Sequence, residues 1–113
     1  MTQLINLTPH DIVILFEDGT TLKVPTSGTV ARVASTNDTV GGVMTEAGTI
    51  PIKSVAYGEV TGLPPYDPER SVFYLVSSLV AARVPERNDV LVPGDFVRDD
   101  KGNIIGCKSL NRV

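Results

Sequence analysis

The sequence predicts an α+β protein, mostly of antiparallel β-strands in a small barrel or sandwich, with one short helix. Three observations predict this class. Two short apolar segments flank an Asp-Gly pair, the signature of a β-hairpin. Further short strand-like segments recur between turn residues, and a single segment has the composition of a helix. With 113 residues the chain has the common size of one domain, so we expect a single domain over residues 1–113.

The N-terminal third predicts four strands. Residues 3–7 read as a strand that Thr8-Pro9 ends, and residues 11–16 follow as an apolar run. Asp18-Gly19 is a two-residue turn, so residues 20–24 return as the second arm of a hairpin. Residues 29–33 alternate apolar and polar side chains, which is typical of a half-buried strand.

Residues 34–48 have the composition of a loop. They are small and polar and include the pair Gly41-Gly42. A loop of about fifteen residues is unusually long, and such loops often carry function. The sequence leaves open whether this segment closes over a ligand or is an excursion without a role. Strand character resumes over residues 49–60.

The one convincing helix lies in the C-terminal half. Residues 72–76 form an apolar strand, Ser77-Ser78 supply an N-cap, and residues 79–84 predict a helix. Pro85 ends it after barely two turns. The tail predicts a second hairpin, with strands over residues 96–98 and 104–110 and a polar turn over residues 99–103.

Composition narrows the classes of partner. A net charge of −3 and a pI near 5.0 argue against binding to duplex nucleic acid. No apolar run approaches the ~18 residues of a membrane span, so we expect no membrane insertion. The single cysteine, Cys107, cannot form an internal disulfide, and this favours a reducing, cytoplasmic location. We expect no metal and no cofactor, because ligand spacings and nucleotide-binding loops are missing from the sequence.

The strand-to-helix corner is the best candidate for binding chemistry. Backbone N–H groups at a helix start favour an anion, and the hydroxyls of Ser77 and Ser78 add donors. Arg83 and Arg87 follow within a few residues, and arginine binds phosphate through two parallel hydrogen bonds. The alternative is that Ser77 only caps the helix and that the arginines pair with nearby acids, namely Glu86, Asp89 and Asp95.

Four further residues complete the predicted ligand-binding set. Arg98 is a third cation, and His10 is a polar ligand contact. Tyr57 and Tyr66 are flanked by predicted loops and could stack on a base. His10 also permits an alternative, a small hydrolase or lyase that acts on a nucleotide-like substrate through His10 with Asp11 or a serine. A consecutive His-Asp pair seldom places its carboxylate on the imidazole, and no Gly-flanked serine motif is present.

Four motifs together resemble a family of small bacterial and phage proteins, and they span nearly the whole chain. They are residues 6–10 (NLTPH), 57–64 (YGEVTGLP), 76–81 (VSSLVA), and 97–99 (VRD) with Gly102 and residues 105–106. Small phage proteins of this size include sponges that sequester cyclic-nucleotide or cyclic ADP-ribose immune signals without destroying them. The resemblance carries over no catalytic residues.

The resemblance and the arginine-bearing corner together predict a non-enzymatic, phage anti-defence protein that sequesters a small phosphorylated, cyclic nucleotide. Edge strands of a small open sheet and the apolar run over residues 72–76 predict a homo-oligomer. A structural or protein-interaction module of phage origin remains a further alternative.

Overall fold

The computed structural model describes residues 2–113 and confirms a strand-rich α+β fold with one short helix. The elements in chain order are β1 Gln3–Asn6, β2 Ile12–Leu15, β3 Thr21–Val24, β4 Arg32–Thr45, β5 Gly48–Thr61, β6 Val72–Leu75, α1 Ser78–Arg83, β7 Val90–Arg98 and β8 Ile104–Asn111. Within the described residues, no helix is long and apolar enough to cross a membrane.

Six of the strands form one mixed sheet in the order β1-β6-β7-β8-β2-β3. The β2–β3 and β7–β8 pairs are antiparallel, as the two predicted hairpins require. The β1–β6, β6–β7 and β2–β8 pairs are parallel, and sequence patterns did not indicate them. A bridge between Asn6 and Thr26 joins the first strand to the segment after β3. The sheet therefore nearly closes on itself as a small barrel.

Strand β6 is buried on both of its faces. Tyr74 and Val76 contact one core cluster, which also contains Val80 of the helix, whereas Leu75 contacts a second cluster with Ile14. Leu75 and Val76 are both 0% exposed. Because β6 has a parallel neighbour on each side and a core cluster on each face, apolar residues are favoured at successive positions along it. This explains the apolar composition of residues 72–76.

The helix begins where the sequence predicts. Ser77 is the N-cap, with extended backbone angles, and its Oγ accepts a hydrogen bond from the Val80 N–H at 3.4 Å. Val80 and Ala81 are the buried residues of α1, and they attach it to the first core cluster. The helix has only six residues, because Pro85 follows the C-cap residue Val84.

The prediction of a loop over residues 34–48 is wrong. This segment belongs to β4 and to the turn that leads into β5, and the two strands form a separate antiparallel hairpin. Thr45 is paired with Gly48 at the tip. The strand was missed because both of its faces are exposed, so no alternation of apolar and polar residues marks it.

This hairpin projects from the barrel. Every residue from 34 to 59 is exposed, and we call this segment the hairpin arm. The molecule measures 57 × 40 × 23 Å with a radius of gyration of 17.9 Å. A compact domain of this length has a radius of gyration of about 13 Å, so the arm extends the molecule well beyond its core.

Strand β7 begins earlier than predicted, at Val90 instead of residue 96. Pro93 and Gly94 lie within this strand, and both pair with β8. The turn that follows agrees with the prediction: the Asp99 N–H donates to the Asn103 carbonyl, and Gly102 has a φ of 85°.

Candidate functional site

The start of the helix contains Ser77 and Ser78, but its polar groups already have a structural use. The Ser77 hydroxyl oxygen accepts the Val80 N–H, and the Ser77 carbonyl accepts the Ala81 N–H. A helix of six residues also has a small macrodipole. Arg83, in its last turn, lies at the opposite end from these serines. The serines and Arg83 therefore do not form a single cluster.

Arg87 is held in a buried ion pair. Its Nε and Nη2 atoms donate to the two carboxylate oxygens of Asp89, each at 2.8 Å, and Nη2 also donates to the Pro64 carbonyl. Asp89 is only 6% exposed. The hydrogen bond to Asp89 raises the pKa of Arg87 further above its usual range. This is the pairing foreseen in the alternative interpretation. The Arg87 guanidinium therefore has a structural role in the fold.

Arg98 and His10 lie apart, the first at the end of a strand and the second in a turn. Arg98 ends β7, and its Nη1 atom donates to the Gly102 carbonyl at 2.8 Å. His10 is exposed in the turn between β1 and β2, and its carbonyl accepts from the Asn6 side chain. The carboxylate of Asp11 contacts the Thr26 N–H and Lys23, so it does not orient the imidazole of His10. This arrangement removes the support for a His10-Asp11 catalytic pair.

Tyr57 and Arg83 line a common open groove between the base of the hairpin arm and the end of the helix. Glu59 and Val84 also line it. The structure thus brings together one aromatic and one cation of the predicted set. The Glu59 carboxylate offsets the charge of Arg83 in the same groove, which weakens its attraction for an anion.

Tyr66 lies in a different groove, of about 240 Å³, which contains two arginines that sequence reasoning missed. Arg70 and Arg112 line this groove beside the ring of Tyr66. Arg112 donates from Nη2 to the Asn88 carbonyl at 3.1 Å. Within residues 2–113 the structure shows no ion pair for Arg70. We call this surface the Tyr66 groove.

The charges of the Tyr66 groove favour an anion. Its one acidic lining residue is Asp89, and Arg87 forms an ion pair with that carboxylate. The charges of Arg70 and Arg112 therefore remain without compensation among the lining residues. Tyr66 is 54% exposed, so one face of its ring is accessible to a ligand.

The sheet topology explains how Arg70 and Arg112 come together from distant parts of the chain. Strand β6 runs parallel to β7, so the start of β6, just after Arg70, lies near the start of β7. Strand β8 runs antiparallel to β7, and its end pairs with that same region through Val92 and Asn111. The proximity of Arg70 and Arg112 depends on the parallel pairing of β6 with β7. No pattern in the sequence indicates that pairing.

A third groove is mainly apolar and has a volume of about 250 Å³. Its lining includes Val13, Phe96, Ile104 and Ile105 on β2, β7 and β8. Asp11 is its acidic residue, and its lining contains no cation. This groove therefore does not suit a phosphorylated ligand.

Comparison of the chain with protein-family models, with curated proteins and with solved structures gives no match.

Proposed function

We propose that this protein binds a small anionic ligand with an aromatic base, a phosphorylated nucleotide, and holds it without chemical change. The observation that carries the proposal is the Tyr66 groove, whose lining combines an exposed aromatic ring with Arg70 and Arg112, two arginines without an ion pair among the described residues. The family resemblance supports a phage anti-defence role, in which a cyclic nucleotide signal is sequestered in the host cytoplasm.

The chemistry of the groove matches the two parts of such a ligand. Arg70 and Arg112 can each donate two parallel hydrogen bonds to a phosphate, and Tyr66 can stack on the base. The groove volume of 240 Å³ lies below the ~300–1,000 Å³ of typical small-molecule pockets. It would hold one phosphate and one base, and any second nucleotide unit would extend beyond it.

The proposal assigns no catalytic role to the groove. Its carboxylate, Asp89, is held by two hydrogen bonds to Arg87 and is not free to act as a general base. Effective capture of a signal at nanomolar concentration needs about −12 kcal/mol of binding free energy. Two arginines and one stacked ring provide several of the contacts that this affinity requires.

A binding experiment tests the site. The full chain is titrated calorimetrically with a cyclic dinucleotide, with ADP-ribose and with inorganic phosphate, and each nucleotide is recovered after heat denaturation. Hydrogen bonds to charged groups contribute about 1.5–3 kcal/mol each, so Arg70→Gln and Arg112→Gln should each weaken binding roughly 10- to 100-fold. Intact recovery of the nucleotide supports capture.

The matched control is Arg98→Gln, which removes an exposed arginine from another part of the sheet and should leave the affinity unchanged. Arg83→Gln reports on the separate groove that Tyr57 and Arg83 line. Loss of binding in Arg83→Gln with full binding in Arg70→Gln would contradict the assignment to the Tyr66 groove. A chemically altered nucleotide would contradict non-enzymatic capture, and no binding by any of the three probes would contradict the function.

The hairpin arm favours a second function, that of a protein-interaction module. An exposed two-stranded ribbon with apolar side chains is typical of a contact surface. The proposed function therefore includes self-association, in agreement with the homo-oligomer predicted from the sequence.

A further inference from the structure

The hairpin arm exposes an unusual number of large apolar side chains. They are Val40, Val43, Met44, Ile50, Ile52, Val55 and Tyr57, and Met44 is 87% exposed. A two-stranded hairpin without further packing is at best marginally stable in water. The sequence nevertheless provides strand-forming, β-branched residues along its length. A partner surface that covers the arm would account for the exposed apolar side chains and would stabilise the hairpin.

The strand register places three of these residues on one face. Val43 lies opposite Ile50, and Gly41 lies opposite Ile52. Cross-strand partners share a face, as do residues two apart along a strand, so Val43, Ile50 and Ile52 form one continuous apolar surface. Gly41 leaves this surface flat beside Ile52. We call it the Val43 face.

The charge pattern of the arm suits an interface. The charged residues of the arm are Asp38, Glu46, Lys53 and Glu59. Glu46 lies in the turn, Lys53 pairs with Thr39 on the face opposite to the Val43 face, and Asp38 pairs with Ser54 on the Val43 face but nearer the barrel. The outer part of the Val43 face therefore contains no charged side chain. Depletion of charge is the compositional mark of the centre of a protein–protein interface.

We propose that the hairpin arm is the contact surface for a second copy of this chain, which covers the Val43 face and the other exposed apolar side chains of the arm. Together these side chains, on both faces of the arm, amount to on the order of 700 Å², close to the ~800 Å² per partner of a standard interface. A two-fold pairing brings identical surfaces together, and the outer part of the Val43 face, formed by Val43, Ile50 and Ile52, contains no charged residue.

This inference rests on the self-association in the proposed function, but it does not depend on the ligand. The arm is distinct from the Tyr66 groove, since no residue from 34 to 59 lines that groove. The arm and the groove can therefore be tested, and can fail, separately.

The test compares the molar mass of three full-length proteins by light scattering and sedimentation across a range of concentrations. The wild-type chain should be a dimer or a larger even-numbered assembly. A triple variant with Val43→Thr, Ile50→Thr and Ile52→Thr keeps β-branched residues in the strands and should be monomeric, with self-affinity weakened at least ~100-fold.

The matched control is a second triple variant with Phe96→Thr, Ile104→Thr and Ile105→Thr. These residues line the apolar groove and are exposed to a similar extent as those of the Val43 face. The control should retain the wild-type mass. Circular dichroism and thermal unfolding establish that both variants keep the fold.

A monomeric wild-type chain at about 100 µM would overturn the inference, because even weak specific interfaces associate there. It would also be overturned if the arm variant kept the wild-type mass, or if the control dissociated instead. Titration of the wild-type chain and of the arm variant with the cyclic dinucleotide separates the two proposals. Binding by a monomeric arm variant shows that the ligand function does not need the interface, whereas a wild-type chain that self-associates but binds no nucleotide leaves the interface intact and contradicts the ligand function.

Discussion

The side chain of Asn6 uses each of its polar atoms. Nδ2 donates to the carbonyls of His10 and Val24, and Oδ1 accepts from the backbone N–H and the hydroxyl of Thr8, at distances of 2.6–3.0 Å. Asn6 is 1% exposed and lies where β1 meets the segment after β3. The NLTPH motif therefore closes the barrel, and its histidine contributes a backbone carbonyl to that network.

Replacement of Asn6 by alanine should destabilise the fold by about 2–4 kcal/mol, because it leaves buried carbonyl and N–H groups without partners. The measurement is urea unfolding followed by circular dichroism. Asn37→Ala, on the exposed hairpin arm, is the control and should change the unfolding free energy by less than about 0.5 kcal/mol. Equal effects for the two variants would show that the Asn6 network does not stabilise the barrel.

Gly62 shows that the segment 57–64 (YGEVTGLP) also has a structural role. Its φ of 81° lies in the left-handed region, and a Cβ atom there would approach the Val30 carbonyl oxygen to 2.6 Å. Glycine is the residue type that meets both demands. These two motifs thus have structural roles in the fold. The arginines of the Tyr66 groove lie outside the motifs that carry the resemblance.

Among the elements, the short helix is the one for which sequence reasoning was most accurate. A Ser N-cap, helix-forming alanines and a following proline act locally, so they predict the helix without knowledge of the rest of the fold. The hairpins with Asp-Gly and Asp-rich turns were predictable for the same reason. The hairpin arm and the parallel strand pairs were not, since the arm has no buried face and parallel pairing depends on distant segments.

The candidate site was predictable only in part. The sequence pointed to arginines, a tyrosine and a small anion, and Tyr66 does line a cationic groove. It left open whether Arg87 pairs with Asp89, and it did not reveal that Arg112 and Arg70 line one groove because of the order of β6, β7 and β8. Both arrangements depend on the tertiary structure, which local patterns in a single sequence do not reveal.

The N-cap of α1 supports a prediction at the scale of the element. Ser77→Ala removes the hydroxyl oxygen that accepts the Val80 N–H, and it should cost about 1 kcal/mol of unfolding free energy. Ser78→Ala is the matched control: Ser78 is the first helical residue, alanine is a good helix former, and the change should be within about 0.3 kcal/mol of zero. Thermal unfolding distinguishes the two, and a larger loss in Ser78→Ala would contradict the capping assignment.

Across the whole molecule, three exposed carboxylates make stability depend on pH in the acid range. A hydrogen bond from the Thr26 N–H, followed by one from Lys23, lowers the pKa of Asp11. The hydroxyl and N–H of Thr20 lower the pKa of Asp18, and the Asn103 N–H has the largest such effect on the pKa of Asp99. Because the folded-state pKa values are depressed, the unfolded chain binds more protons, and this part of the stability is lost as pH falls below about 4.

The double variant Asp18→Ala, Asp99→Ala should therefore lose less stability than the wild type between about pH 6 and about pH 3. Urea midpoints at a series of pH values measure the difference. Thr20→Val removes the hydroxyl that bonds Asp18 while the carboxylate stays, and it should reduce the acid sensitivity in the same direction. Parallel pH curves for wild type and double variant would exclude these carboxylates as a source of the dependence.

The separation of arm and barrel leads to a prediction for the molecule as a whole. Neither core cluster contains a residue from 34 to 59, so the barrel should fold without the arm. A variant in which a two-residue Asn-Gly turn joins Ser35 to Tyr57, which are cross-strand partners, should keep an unfolding free energy within about 1 kcal/mol of the wild-type monomer. An interface stabilises a protein by mass action, so the thermal midpoint of the wild type should rise with protein concentration, whereas that of the shortened chain should not. Loss of the near-native circular dichroism spectrum in the shortened chain would show instead that the arm is part of the folding unit.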